Sequence, residues 1–159
     1  QRHREAERTG PEHLDAMAAL RAHSPVPLAA GENEFRLHGF KALLEARAVD
    51  VAMPDIGRCG GLWEARAVCF LADAWGIPVS PHNFSSGVLL AATLHLMAAA
   101  PGTRLLEMDT SGNAVYEELL REPLAFTDGR LAVPGLPGLG VHLPPETLER
   151  HGVSVTVIE

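Results

Sequence analysis

Apolar residues recur three or four apart at Leu14, Met17 and Ala18, which predicts a short helix after Gly10-Pro11. From residue 26 solid apolar runs alternate with helical stretches: strand 26–30 (VPLAA), helix 35–46, strand 49–53 (VDVAM), helix 62–75, strand 77–80 (IPVS), helix 86–99 and strand 104–107 (RLLE). The strand runs are continuous rather than alternating, as strands covered on both faces are. Helix 62–75 puts Ala65, Val68, Cys69, Ala72 and Trp75 on one stripe, the mark of a helix laid on a sheet. Alternating strands and helices predict a parallel sheet with right-handed crossovers, hence an α/β fold. Ahead of this pattern, residues 1–10 (QRHREAERTG) carry no apolar face and read as a charged, solvated arm. Behind it, Asp128-Gly129 predicts a tight hairpin, an irregular Pro/Gly-rich run follows, and a helix is expected at 144–150 before the strand-like 154–158 (SVTVI).

Composition narrows the partners. The 159 residues are 47% hydrophobic and 21% charged, which suits one domain or part of a larger protein. The net charge is −7 and Lys41 is the single lysine, so no basic footprint for nucleic acid is present. Cys59 and Cys69 lack metal-binding CxxC spacing and read as reduced packing residues, which fits a cytoplasmic protein. No apolar run approaches the length of about 18 residues that would span a membrane. The chain starts at Gln1 rather than Met, which suggests processing or a longer reading frame.

The candidate chemistry lies at the strand ends. The predicted strands run into Glu32, Asp55, His82 and Glu107, at intervals of 55 − 32 = 23, 82 − 55 = 27 and 107 − 82 = 25 residues. Each interval is one βα unit, so all four groups fall on the carboxyl edge of a parallel sheet, where α/β folds keep their sites. Each residue alone has an ordinary explanation: surface acid, turn former, core histidine, solvated acid. Together they suggest a shared site. Asp55 and His82 would stand on neighbouring strands, where a carboxylate fixes the tautomer of an imidazole and raises its basicity. Glu32 offers a hard oxygen suited to Mg²⁺. Glu107 would exchange a hydrogen bond opposite the base. Gly60-Gly61 lacks a phosphate-loop pattern and reads as a tight turn before a helix. Ser85 lacks a nucleophile-elbow context and is expected as a helix N-cap.

With GEN at 31–33, PDIGRCGG at 54–61, PHNFSSG at 81–87 and LLEMD at 105–109, the chain resembles the enolase superfamily, and within it the mandelate racemase group with its acid-sugar dehydratases. The resemblance covers roughly residues 11–152. It implies a partial (β/α)8 (TIM) barrel: about its last four βα units at 11–120, then a segment at 121–159 with a β-hairpin, running toward a capping domain. It implies Mg²⁺, a small hydroxy- or sugar-acid substrate and a homo-oligomeric full-length form. The implied reaction removes the proton beside the substrate carboxylate through an enediolate, leading to dehydration or racemisation. On this likeness Glu32 is a metal ligand, His82 the base, Asp55 its partner, and Glu107 the group meeting the substrate carboxylate. Arg58 stands where muconate-type relatives carry a lysine base. The family's other two metal carboxylates, its KxK base and its amino-terminal capping domain have no counterpart, so a carboxyl-terminal part of such an enzyme is expected. Two alternatives stay open: a non-catalytic chain that dimerises or complements a second half barrel, and a metal-independent binding module.

Overall fold

The computed structural model describes residues 4–5, 13–113, 116, 118–119 and 126–152. In chain order they form β1 (Arg4–Glu5), α1 (Leu14–His23), β2 (Leu28–Ala30), α2 (Arg36–Glu45), β3 (Val51–Ala52), α3 (Gly61–Ala74), α4 (Gly87–Ala99), β4 (Phe126–Thr127), β5 (Arg130–Leu131) and α5 (Pro145–Arg150). Strands β1, β2 and β3 lie side by side and parallel. The sheet continues through single parallel pairings, Ala52 with Val79 and Val79 with Thr103. The expected strand 77–80 is thus reduced to one paired residue, Val79, and 104–107 has none, the second pairing falling on Thr103 just ahead of it.

The arm is a correction. Arg4–Glu5 pairs in parallel with Leu28 and Ala29 of β2, so part of 1–10 belongs to the sheet. Backbone pairing needs no apolar side chain, so it leaves no apolar pattern in the sequence. The strand-like 154–158 lies outside the described residues.

Side chains of β2 and β3 alternate between the two faces of the sheet. Leu28, Ala30 and Ala52 join one large core with Met17 of α1, Phe40, Leu43 and Leu44 of α2, and Ala65, Val68, Cys69 and Ala72 of α3. Ala29, Val51 and Met53 form a separate buried cluster. Helix α3 buries the stripe that its spacing predicts except for Trp75, which caps the helix and is exposed. Helix α4 is buried almost all round, as a helix without a polar face must be. The hairpin at Asp128-Gly129 forms as expected: both turn residues have positive φ and join the antiparallel β4 and β5.

Two prolines shape the carboxyl edge. Ala52 exchanges both its backbone bonds with the 78–80 segment, and Val79 exchanges both of its with the 102–104 segment. Parity therefore aims the nitrogen of Pro54 at the carbonyl of Ser80, and that of Pro81 at the carbonyl of Arg104. Neither nitrogen carries a hydrogen, so each seam loses one rung at the level of the site. The rung from His82 N to Pro54 O, 3.1 Å, survives because proline still accepts.

Candidate functional site

The surviving rung brings Asp55 and His82 together. They are bridged in parallel register, and their side chains meet as well: His82 Nδ1 lies 2.7 Å from Asp55 Oδ2. Asp55 is 4% exposed and His82 9%. The other oxygen of Asp55 accepts from Gly57 N at 2.7 Å, which ties the carboxylate into the turn leading to α3. That turn continues through Gly60 and Gly61, both with positive φ, as their expected role requires.

Around the other side of the imidazole, Nε2 lies 2.9 Å from Glu32 Oε2 and 3.9 Å from Glu107 Oε2. The structure thus brings together all four sequence-predicted residues, Glu107 from an irregular segment rather than a strand end. The Glu32–His82 contact was not foreseen from sequence. The hydrogen bond with Asp55 raises the pKa of His82 above 6.5; burial opposes this, and the charges of Glu32, Glu107 and Asp55 add to it. Burial by itself would push the Asp55 carboxyl up, but the hydrogen bonds from His82 and Gly57, with the charges of His82 and Arg58, outweigh it and hold it below 3.8. Carboxylates face both ring nitrogens, and their charge makes the imidazole a stronger base.

Glu32 follows Gly31, whose φ of 126° turns the chain out of β2. Its Oε1 lies 3.4 Å from Asn33 Nδ2, and Asn33 Oδ1 accepts from Arg58 Nη1. Arg58 thus links the loops after β2 and β3 through Asn33. Glu107 lies in an irregular segment, and its Oε2 accepts from Asn83 N at 2.8 Å. Sequence reading missed Asn83 and Tyr116, which surround Glu107; their one visible signal was that Asn83 directly follows His82 and Tyr116 is the sole tyrosine. The expected cap at Ser85 shifts by one: the Ser86 hydroxyl accepts from Leu89 N at the start of α4, 3.4 Å. A cleft of about 580 Å³ adjoins the pair, lined by Asp55, Arg58, Phe84, Ser85, Ser86 and Leu89 among others.

The donor set decides the fit to Mg²⁺. Glu32 is a hard carboxylate, but its Oε2 is engaged by His82. Among the described residues no group of three His, Cys, Asp or Glu side chains is arranged to hold a metal ion. The described residues by themselves do not make a magnesium site. Among them, too, no helix is long and apolar enough to cross a membrane. Both cysteines are free and buried, and burial pushes each thiol up to about 11, as packing residues require.

Comparison with known proteins shows the family. A family profile described as "Enolase C-terminal domain-like" matches residues 7–147. D-galactarolactone cycloisomerase of Agrobacterium fabrum is 37% identical over 146 residues, covering 87% of this chain and 39% of that protein. D-xylonate dehydratase of Haloferax volcanii is 36% identical over 143 residues, covering 90% and 35%. Among solved structures, a mandelate racemase/muconate lactonizing enzyme-like protein from Rubrobacter xylanophilus superposes with a TM-score of 0.84 at 38% identity, over 94% of this chain and 39% of that one. The 3,6-anhydro-D-galactonate cycloisomerase of Zobellia galactanivorans gives 0.84 at 34% identity, over 92% and 41%. The chain therefore spans well under half the length of these relatives.

Proposed function

The chain belongs to the enolase C-terminal domain-like family, and on that premise we propose that it carries the proton-abstracting part of an active site for a small hydroxy or sugar acid, within a partial (β/α)8 barrel. The observation that carries this reading is the clamp on His82, with Asp55 on Nδ1 and Glu32 and Glu107 around Nε2. A carboxylate on Nδ1 keeps the proton there, so Nε2 is the atom that takes a proton from substrate. The resulting imidazolium is stabilised by Asp55 as it forms. Glu107 meets the substrate carboxylate through a shared proton, at the place where negative charge builds as the α-proton leaves. Dehydration follows when the β-hydroxyl departs as water, taking the proton that His82 Nε2 has gained; racemisation would need a second proton donor on the opposite face, from outside the described residues.

A magnesium ion bound at Glu32 would supply charge stabilisation to the enediolate, and its remaining ligands would have to come from outside the described residues. No step here depends on it. The full-length form would supply the capping elements, and relatives acting as cycloisomerases or dehydratases mark the reaction types to try first. The test is exchange of the α-proton for deuterium on a panel of aldonic and aldaric acids, using the full protein with Mg²⁺. His82→Asn is expected to lower exchange by about 10²- to 10⁴-fold, the usual weight of a general base. Exchange that is unchanged in this variant removes His82 from the role.

A further inference from the structure

Glu107 is held by no strand, although the proposed reaction needs it at a fixed place beside the base. Asn83 supplies the hold. Its backbone N–H donates to Glu107 Oε2 at 2.8 Å, and its Nδ2 donates to the Glu107 carbonyl at 3.0 Å and to the Tyr116 hydroxyl at 2.6 Å. The same hydroxyl accepts from Asp109 N at 3.4 Å, two residues beyond Glu107. Tyr116 itself is buried against Leu90 and Leu94 of α4. The phenol oxygen thus ties the segment 107–109 to the strand end that carries His82.

The side chain of Asn83 is fully buried, and among the described residues its Oδ1 has no hydrogen-bond partner. A buried acceptor left unpaired costs about 1–3 kcal/mol. An apolar residue of similar size would fill the space without that cost, so packing does not account for an amide here. Its two donated bonds do.

We propose that Asn83 and Tyr116 are positioning residues that hold Glu107 beside Nε2 of His82, an inference that rests on the proton-abstraction reading above. Tyr116→Phe keeps the ring and removes only the oxygen. It is expected to lower kcat for α-proton exchange by about 10- to 100-fold, the range that a small misplacement near the chemistry commands, with KM changed less than threefold. In a Glu107→Gln background the same change is expected to have less than a twofold effect, because the group it positions is already disabled. Equal losses in both backgrounds would overturn the proposal and leave Tyr116 a packing residue.

A second measurement does not depend on turnover. With ¹³Cζ-labelled tyrosine, the Tyr116 signal is assigned by its loss in Tyr116→Phe and followed through its titration in Asn83→Leu. Burial already holds this phenol above 10, and the Asn83 bond pulls it down, so removal of Asn83 is expected to move it further up. An unmoved phenol overturns the network. Absence of exchange in the unaltered protein with a moved phenol overturns the reaction and supports the held position of Glu107.

Discussion

Asp55 gives both of its oxygens away, one to His82 and one to the Gly57 amide, and Asp55 and His82 are each less than a tenth exposed. Asp55→Asn keeps the shape and removes the charge, and is expected to destabilise the chain by about 2 kcal/mol, in line with bonds to charged groups. The pH dependence follows from the two shifts. Asp55 is depressed in the fold, so its contribution is present above 3.8 and lost as pH falls through its folded value. His82 is raised, so its contribution is complete below 6.5 and lost as pH rises through its folded value. Thermal melts of the two proteins should therefore differ most between about pH 4 and 6.5, with the gap narrowing on either side. A constant difference from pH 3 to 9 would show that the pair does not titrate as a unit. The same neighbours explain what spacing alone could reach. Intervals of one βα unit put Glu32, Asp55, His82 and Glu107 on one edge. They could not say that Glu32 would reach across to Nε2, because that depends on two side-chain torsions and on the turn at Gly31.

Elements were legible where a solid apolar run or a helical stripe marked them. Helices α2, α3 and α4 begin and end within one residue of the boundaries read from the pattern. The misreadings have a common physical source: backbone hydrogen bonds leave no trace in side-chain polarity. Arg4–Glu5 joins the sheet without an apolar residue, and the apolar run 104–107 leaves it after one pairing at Thr103. The capping serine is a finer case. Two adjacent serines offer the same chemistry, and Ser86, with its extended backbone, is the one whose hydroxyl accepts from Leu89 N. Ser86→Ala should cost about 0.5–1 kcal/mol in chemical denaturation, while Ser85→Ala should be silent. Equal effects would refute the assignment. The exit from β2 is stricter. An added methyl at Gly31 would sit 2.9 Å from Cε1 of the fully buried Phe40, at a φ of 126°. Gly31→Ala is therefore expected to cost about 1–3 kcal/mol, and to lower any activity further by shifting Glu32. A melting temperature within a degree of the parent would refute it.

At the scale of the whole molecule, the sheet ends on one side at β1 and on the other at Thr103, with no further strand paired to either among the described residues. Open edges invite pairing with another chain. Sedimentation velocity of the 159-residue chain is expected to show concentration-dependent association, and a single monomer boundary across a hundredfold range would contradict it. Closure of those edges is also where the family relation could not be read from length, since the relatives are more than twice as long over the same match. The two prolines at the site carry a different lesson, one about selection. Any other residue at 54 or 81 would restore a donor aimed at the neighbouring strand, and the added rung would draw that seam closed at the mouth. A gain in cohesion there stiffens the edge that carries Asp55 and His82. Screening variants for thermal resistance alone would favour such closures, and if the proposed proton abstraction holds, the most robust survivors at these two positions should show the slowest exchange.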